Sequence, residues 1–168
     1  MTLAPCQTGA GDHDHSDCIA DALREADRLC AERGVRLTEI RRRVLELVWR
    51  NHAPVGAYEL LKELTKERQS AVPPTIYRAL EFLVEQGLVH RIESLNAYVG
   101  CAHPDEPHCS HFIICRDCGL AAELTGFIID KAIRASAEDC GFLVEGDTVE
   151  VTGLCAQCRS DAGEGRNQ

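Results

Sequence analysis

Two Cys-x-x-Cys pairs are the residues of this sequence whose types and spacing predict chemistry most specifically. Cys115 and Cys118 form the first pair, Cys155 and Cys158 form the second, and 36 residues separate the two pairs. Four thiolates on two short turns can surround Zn²⁺ tetrahedrally with no open position, which is typical of a structural zinc site. Gly119 suits the tight backbone reversal that follows such a pair. The spacing therefore predicts a zinc ion that stabilises the fold, and the alternative is four buried free cysteines.

The composition is that of a globular chain without a membrane segment. The 168 residues are 45% hydrophobic and 27% charged, and they suffice for one or two small domains. No apolar run is long enough to span a membrane, and the N-terminus lacks the pattern of an export signal. We therefore expect a cytoplasmic protein whose ten cysteines are metal ligands or reduced thiols rather than disulfides. Cys18, Cys30 and Cys140 are expected to be reduced core thiols.

The net charge of −9 is distributed unevenly along the chain. Residues 1–92 contain 13 Lys and Arg against 14 Asp and Glu, whereas residues 93–168 contain 5 against 13. The first half is thus nearly neutral, and residues 33–50 within it form an arginine-rich segment that could contact phosphates. The alternative is a solvated helix face, and composition does not decide between the two. The arginines of this segment are Arg33, Arg36, Arg41, Arg42, Arg43 and Arg50.

Apolar periodicity predicts three helices before residue 68. Apolar residues recur at three- and four-residue steps over residues 19–29 and predict a helix that ends near Gly34. Thr38 is expected to cap a second helix, and a third is expected around residues 56–67. The third helix should bury either Tyr58 or Leu60, together with Leu61 and Leu64.

A fourth predicted helix runs from the two prolines at residues 73–74 to about Gln86. Proline is tolerated in the first turn of a helix, and Gly87 suits the helix end. At 100° per residue, Arg78 points away from the apolar face and Tyr77 lies at its flank. The apolar face consists of Ile76, Leu80 and Leu83.

Two alternating segments follow this helix, at residues 88–92 and 96–99, and they predict a β-hairpin. Helix, turn, helix and hairpin in this order are typical of a winged-helix domain, whose usual ligand is double-stranded DNA. Such domains read base edges with an exposed residue near the start of the helix that precedes the hairpin. In this sequence that helix is the fourth, and the residue is Arg78. Winged helices also mediate protein contacts, so the pattern alone leaves that alternative open.

The second half of the chain predicts a small α/β domain. Residues 111–114 and 121–124 are strand-like, a helix is expected from about Phe127 to Cys140, and residues 142–151 should return as a strand or hairpin. Such a sheet has an exposed edge that a twofold partner can extend, and the alternative is a self-contained monomer. The sequence therefore predicts the α+β class, with an N-terminal winged helix followed by a small α/β dimerisation domain.

The expected domain boundaries follow from these elements. They are a disordered N-terminal tail at 1–16, a winged-helix domain at 17–94, a hinge at 95–102, a dimerisation and zinc-binding domain at 103–158, and a disordered C-terminal tail at 159–168.

Four motifs together resemble the ferric-uptake-regulator superfamily, and most closely its zinc-uptake-regulator branch. They are the Arg-Leu-Thr run at 36–38, the Pro-Pro-Thr-Ile-Tyr-Arg-Ala-Leu run at 73–80, the Gly-Leu-Val-His run at 87–90, and the paired cysteine turns. The resemblance covers roughly residues 18–158. It implies a homodimer of winged-helix domains joined to α/β dimerisation domains. It also implies zinc-dependent repression of zinc-acquisition genes from a palindromic operator.

The resemblance further implies a regulatory zinc site, so that two zinc ions per chain are expected. The family's sensing positions are matched by His90, Cys101, His108 and Glu123. Two imidazoles, one thiolate and one carboxylate suit tetrahedral Zn²⁺, and the soft sulfur argues against Mn²⁺ or Mg²⁺. Because the matched residues come from both sides of the predicted hinge, an ion bound there would fix the winged helix against the dimerisation domain.

Other candidate ligands lie close to this set in the sequence. His103, Cys109 and His111 crowd the same segment and could replace one member or build a third site, with His111 as the best substitute. His13 and His15 could bind metal weakly, although a disordered tail that contains them is the simpler interpretation.

Tyr58 and Arg78 occupy positions at which relatives contact bases. Arg36, Thr75 and Tyr77, in the matching motifs, are further candidates for DNA contacts.

Two departures from the family pattern limit what the resemblance implies. Glu39 replaces the usual proline after Thr38, and an acid in the first turn of a helix is favourable, so we expect the helix to form. Lys62 and Thr65 occupy the places where better-known zinc regulators pair an acid and an arginine between neighbouring dimers. Cooperativity through that salt bridge is therefore not implied.

Three other functions compete with a zinc-responsive regulator. A regulator of the same family could sense iron, manganese, nickel or peroxide, but Cys101 disfavours the harder metals. A zinc hydrolase or deaminase would need a His-Glu-x-x-His helix, or His-x-Glu with Pro-Cys-x-x-Cys, and the sequence has neither. A zinc-ribbon adaptor would bind only proteins. The preferred interpretation is a regulator without catalysis, small-molecule substrate or membrane partner.

Overall fold

Helices and short strands form two separate units along the chain. The computed structural model describes residues 15–50, 53–67, 72–105, 110–124, 127–145 and 148–164. The boundary between the units lies between residues 106 and 107. Within these described ranges, no helix is long and apolar enough to cross a membrane. Six helices and two three-stranded sheets among the described residues confirm the predicted α+β class.

Four helices form most of the first unit, and all four agree with the prediction. The first ends just before Gly34, whose φ of 66° is favourable only for glycine. The second begins at Glu39 directly after its N-cap Thr38, whose hydroxyl accepts a hydrogen bond from the Arg41 N–H at 3.4 Å. The helix thus forms without the family's proline. The helices are α1 (His15–Glu32), α2 (Glu39–Trp49), α3 (Ala57–Glu67) and α4 (Pro73–Glu85).

The apolar faces of these helices pack into one core. On α3 the structure decides between the two predicted core residues, because Leu60 is 1% exposed and Tyr58 is 79% exposed. The 3.6-residue period places Leu64 beside Leu60, one turn further along. On α4 the predicted face is confirmed, since Ile76, Leu80 and Leu83 are all buried.

A three-stranded antiparallel sheet completes the winged helix of the first unit. The strands are β1 (Val55–Gly56), β2 (Val89–Ile92) and β3 (Ala97–Gly100), in the order β1-β3-β2. β2 and β3 form the predicted hairpin, and Asn96 turns it with a φ of 46°, a conformation that asparagine tolerates better than most residues. The two-residue β1 was not predicted.

The predicted hinge at residues 95–102 is wrong. Residues 97–100 form β3, which pairs with β2 on one side and β1 on the other. The Cys101 N–H then donates to the Leu88 carbonyl at 3.1 Å, which extends the same pairing. Central strands cannot act as hinges without breaking two ladders of hydrogen bonds, so the boundary between the units falls later in the chain.

Gly100 allows a close contact between β3 and α2. A Cβ atom at this position would overlap the five-membered ring of the Trp49 indole, with Cε2 and Nε1 as the nearest atoms. We expect Gly100→Ala to destabilise the protein by about 1–3 kcal/mol, because the ring or the strand must move to admit the methyl group. Urea unfolding followed by the fluorescence of Trp49, the single tryptophan of the chain, measures this change.

Gly56→Ala is the matched control for this prediction. Gly56 also lies in a strand of the same sheet, and a Cβ atom there has nothing within 4 Å. Equal losses of stability for the two variants would show that the effect comes from the backbone and not from the Trp49 contact.

The second unit contains a three-stranded sheet and two helices. Its elements are β4 (Ser110–Cys115), β5 (Ala121–Glu123), α5 (Phe127–Asp139), β6 (Thr148–Gly153) and α6 (Ala156–Glu164). The strand order is β5-β4-β6, with β4 antiparallel to β5 and parallel to β6. Parallel strands need a crossover connection, and α5 lies in the connection from β5 to β6. The predicted strands and helix before residue 140 are confirmed in this unit.

Several expectations for the second unit need correction. Residues 142–145 form no strand, and the returning strand begins only at Thr148. The predicted disordered tail from residue 159 is wrong as far as Glu164, since α6 extends to that residue; residues 165–168 lie outside the described part of the chain. Cys140 is exposed and is not a core thiol, whereas Cys30 is buried as expected and Cys18 is half-buried.

Candidate metal centres and nucleic-acid interface

The parallel pairing of β4 and β6 brings the two cysteine pairs together. β4 ends at Cys115 and β6 ends at Gly153, and these two residues are direct partners in the register. Beyond the strand ends, the Arg116 N–H donates to the Gly153 carbonyl at 3.0 Å. Both pairs therefore follow the same end of the sheet, although 36 residues separate them in the sequence.

A tight turn shapes the first pair. The Gly119 N–H donates to the Cys115 carbonyl at 2.9 Å, and the Cys115 N–H donates to the Leu120 carbonyl at 2.8 Å. Gly119 has a φ of 73°, which a residue with a side chain rarely adopts. The expected role of this glycine is confirmed.

The four sulfur atoms form a cluster that fits zinc. Each ligand atom of Cys115, Cys118, Cys155 and Cys158 lies within 4.8 Å of the others. The Cys118 and Cys155 sulfurs are 3.8 Å apart. A Zn–S bond of about 2.3 Å gives a sulfur tetrahedron with edges of about 3.8 Å, so the spacing and the donor set both suit Zn²⁺. This cluster supports the predicted structural site over four unrelated buried thiols, and Cys118 is in fact exposed.

Backbone N–H groups and mutual repulsion govern protonation in this cluster. The Cys155 N–H, 3.4 Å from the Cys115 sulfur, and then the Cys118 N–H lower the pKa of Cys115 to about 6. The neighbouring Cys155 and Cys118 sulfurs raise the pKa of Cys158 well above its ordinary value. Four thiolates this close together repel one another, so a bound cation is needed to keep them all deprotonated.

The second pair also lies at the N-terminus of a helix. α6 begins at Ala156, and the Cys158 N–H donates to the Cys155 sulfur at 3.4 Å. The unpaired N–H groups and the positive end of the helix dipole stabilise negative sulfur there. The sequence did not predict α6, so this contribution to the site was missed.

His90 and Cys101 lie on the same face of the hairpin in the first unit. In the register His90 is opposite Val99, and Cys101 is two residues beyond Val99 on the extended strand. Side chains two residues apart share a face, so His90 and Cys101 are diagonal neighbours. Both are buried, and their potential ligand atoms lie within 4.8 Å of each other. The first unit therefore holds two of the predicted regulatory ligands ready as a pair.

Glu123 and His111 are buried in the second unit. Glu123 ends β5 and is 2% exposed, and a carboxylate so deeply buried requires a cation or hydrogen-bond donors. His111 lies on β4, and its Nε2 is 2.6 Å from Oδ1 of Asp130 on α5. The Asp130 contact was not predicted from the sequence. It fixes the His111 ring through Nε2, and Nδ1 is the other potential metal-ligand atom of the imidazole.

Of the five other candidate ligands named from the sequence, two lie in the described residues and three do not. His108, Cys109 and His13 lie outside the described residues, and His15 begins α1. His103 is exposed in the segment that follows β3.

The exposed face of α4 presents the predicted DNA-contacting residues. Arg78 is exposed, as predicted, and Tyr77 beside it is 57% exposed, while Thr75 in the first turn is half-buried. Tyr58 on α3 is 79% exposed. An exposed arginine with an exposed tyrosine beside it on α4, and a further exposed tyrosine on α3, suit contacts with base edges and sugars.

Most of the arginine-rich segment is engaged within the protein. Arg33 and Arg41 donate to backbone carbonyls, and Arg36 is exposed, with no partner for its guanidinium among the described residues. The structure thus favours a structural role for five of the six arginines and leaves Arg36 as the candidate phosphate contact. The ion pairs are Arg42 with Asp27, Arg43 with Glu46 and Glu67, and Arg50 with Glu46.

The chain is similar in sequence and in structure to known proteins. A model of the ferric uptake regulator family matches residues 32–152. The zinc uptake regulation protein of Escherichia coli (strain K12) is 41% identical over 139 residues, which cover 82% of this chain and 81% of that protein. A solved structure of a zinc uptake regulator complexed with zinc and DNA has 39% identity and a TM-score of 0.83, and the match covers 86% of this chain and 97% of the other. A crystal structure of holo XcZur has 44% identity and a TM-score of 0.77, with coverage of 83% and 98%.

Proposed function

The chain belongs to the ferric uptake regulator family, and from this premise we propose that it is a zinc-responsive transcriptional repressor. As a zinc-bound homodimer it binds palindromic operator DNA and represses genes for zinc acquisition. The observation that carries the proposal is the similarity, over most of the chain, to a zinc uptake regulator complexed with zinc and DNA. Its action on operator DNA places the protein in the cytoplasm.

The four-cysteine cluster would hold the structural zinc ion. The site consists of four thiolates and has no open position, so this ion would stabilise the second unit and would not be the zinc ion that is sensed. The thiolates are those of Cys115, Cys118, Cys155 and Cys158. A homodimer is supported by the same unit, because it exposes large apolar side chains that a second copy could cover. These side chains are Ile128, Phe142 and Leu143, which are 84%, 74% and 87% exposed.

The regulatory site is proposed from ligand chemistry and from burial within each unit. The proposed ligands are His90, Cys101, His108 and Glu123. The pairing of His90 with Cys101 on one hairpin face and the burial of the Glu123 carboxylate support this set. His111 remains the proposed substitute for one of these ligands.

Ligands drawn from both units would make the DNA-binding geometry depend on zinc. A shift of a conformational ratio from 1:99 to 99:1 needs about 5.5 kcal/mol of differential binding. Zinc coordination by four protein ligands can supply this amount. Five residues would recognise the operator DNA. Arg78 and Tyr58 would contact bases, and Arg36, Thr75 and Tyr77 would make further DNA contacts.

The alternative functions are less well supported. Sensing of iron, manganese, nickel or peroxide by the same fold is disfavoured by the buried Cys101 thiol beside His90, since harder metals prefer nitrogen and oxygen. The chain belongs to a family of transcriptional regulators, which argues against a hydrolase, a deaminase or a protein-binding adaptor.

A metal count combined with a gel-shift titration tests the proposal. Purified dimer should contain two zinc ions per chain, and it should retard a palindromic promoter fragment with zinc but not with iron or manganese at the same free concentration. A stronger response to iron or manganese would favour the alternative sensors. Absence of any salt-sensitive association with DNA would overturn the assignment as a DNA-binding regulator.

Arg78→Ala should weaken binding to the cognate operator by about 1–3 kcal/mol and relax the base preference. The exposed guanidinium can form two hydrogen bonds to a guanine edge, and alanine removes both. Competition gel shifts with operator and random DNA at fixed salt measure the two affinities.

Arg78→Lys is the matched variant, because lysine keeps the charge but cannot form the bidentate contact. It should retain binding to random DNA and lose most of the preference for the operator. An equal loss on operator and random DNA after Arg78→Ala would make Arg78 a phosphate contact instead.

A further inference from the structure

Arg33 joins three parts of the first unit that are far apart in the sequence. It follows α1 directly, and its N–H donates to the Leu29 carbonyl at 3.0 Å, which fixes its backbone to the helix end. Its guanidinium donates to the Gln86 carbonyl at 2.5 Å and to the Pro104 carbonyl at 3.2 Å. These acceptors lie 53 and 71 residues further along the chain.

Both acceptors suit a guanidinium. Gln86 is the C-cap of α4, and the carbonyls at a helix C-terminus carry partial negative charge without a partner inside the helix. Pro104 lies in the segment after β3, and its carbonyl needs a donor from elsewhere in the chain. The planar fork of arginine presents several N–H groups at once, so one side chain can serve both carbonyls.

The segment that Arg33 holds begins with Cys101. The Cys101 N–H donates to the Leu88 carbonyl at 3.1 Å, and Pro104 accepts from Arg33 three residues later. Hydrogen bonds therefore fix residues 101–104 at both ends. Cys101 lies beside His90 on the hairpin face, so its sulfur position depends on how this segment is held.

We propose that Arg33 is a positioning residue for the regulatory zinc site, because it fixes the segment that presents the Cys101 thiolate. This inference rests on the proposed function of Cys101 as a ligand. Arg33 touches neither zinc nor DNA in this role. It lowers the free zinc concentration at which the protein responds, and it leaves the affinity of the zinc-loaded protein for its operator unchanged.

Arg33→Ala in the full-length dimer tests the proposal. Loss of an outer hydrogen bond that orients a metal ligand typically costs 10–100-fold in metal affinity, and for an exposed arginine we expect roughly tenfold. The structural zinc ion is kept in the four-cysteine cluster while Co²⁺ is titrated into the regulatory site. The sulfur-to-cobalt absorption band then reports Cys101 binding, and half-saturation should shift upward roughly tenfold.

A second measurement needs no metal in the regulatory site. Hydrogen exchange of residues 101–105 should become faster in Arg33→Ala, because the Pro104 end of the segment is released. Trp49 packs against Gly100, next to Cys101, so the fluorescence of Trp49 should also change. The midpoint of urea unfolding should stay close to that of the unmodified protein.

Arg28→Ala is the matched control. Arg28 is an arginine of α1 whose partners, Glu25 and Glu32, lie on the same helix. It should leave the exchange of residues 101–105 and the cobalt titration unchanged. Arg33→Lys should restore part of the zinc response, since an ammonium group can donate to one of the two carbonyls.

The outcomes separate this proposal from the proposed function. If Cys101→Ser abolishes the zinc response and Arg33→Ala leaves both exchange and zinc requirement as in the unmodified protein, the positioning role is overturned and the regulator stands. Equal shifts in Arg33→Ala and Arg28→Ala would also overturn it. If Cys101→Ser responds to zinc normally, the regulatory site itself is wrong and the role of Arg33 is overturned with it.

Discussion

Cys115→Ser should remove the structural zinc ion and unfold the second unit, with a loss of about 5 kcal/mol or more in stability. Cys115 is buried at the end of β4, and its sulfur accepts the Cys155 N–H. Serine cannot replace a thiolate as a zinc ligand at neutral pH, and the loss of a structural metal is among the few changes that cost this much. Metal analysis, circular dichroism and sedimentation measure zinc content, folding and dimer formation.

Cys140→Ser is the matched control for this change. Cys140 lies in the same unit, is exposed, and is not a member of the four-cysteine cluster. Its replacement should leave zinc content, folding and dimer formation unchanged. A folded Cys115→Ser dimer with the stability of the unmodified protein would contradict the structural role of the cluster.

Cys101→Ser should preserve the fold and abolish zinc-dependent binding to the operator. The thiolate is the soft ligand of the proposed regulatory site, and any zinc response that survives its removal should need at least about a hundredfold more free zinc. The four-cysteine cluster is untouched, so one zinc ion per chain should remain. Gel-shift titrations at buffered free zinc, together with a metal count, measure both quantities.

Cys30→Ser controls for placing a hydroxyl in a buried position of the same unit. Cys30 is 2% exposed and belongs to the helical core. This variant should lose some stability but keep the zinc response of the unmodified protein. A wild-type response in Cys101→Ser would remove Cys101 from the sensing site.

The helices of the first unit could be predicted because their signals are local. Thr38 caps α2, the prolines at 73–74 open α4, and the apolar period of 3.6 residues marks the face that contacts the core. The two missed elements have no such signals. β1 has two residues, and α6 has no apolar face, so its formation depends on the cysteine turn from which it starts.

The hinge was misplaced for a different reason. Residues 96–99 alternate as a strand should, but the sequence does not show that β3 has a partner on each side. Pairing with β1 makes β3 the central strand, and the boundary between the two units lies beyond it. A strand's place in a sheet is set by long-range contacts, which a single sequence does not contain.

At the metal sites too, local features could be predicted from the sequence and long-range contacts could not. The two cysteine pairs were found from spacing alone, because each pair is a local turn and the requirement for a second pair is chemical. The contacts around them were not found. Asp130 contacts His111, 19 residues away in the sequence, and Arg33 donates to Pro104, 71 residues away. No rule of sequence spacing predicts either contact.

If zinc binds the four-cysteine cluster, the register between β4 and β6 would make zinc binding depend on the correct alignment of the two strands. Cys115 and Gly153 are partners in this ladder, so a slip of one residue would displace one cysteine pair by about 3.3 Å along the strand. The displaced sulfurs could not complete a tetrahedron, and misaligned molecules would not capture the ion. Zinc supply during synthesis would then set the fraction of newly made chains that become locked in the correct alignment.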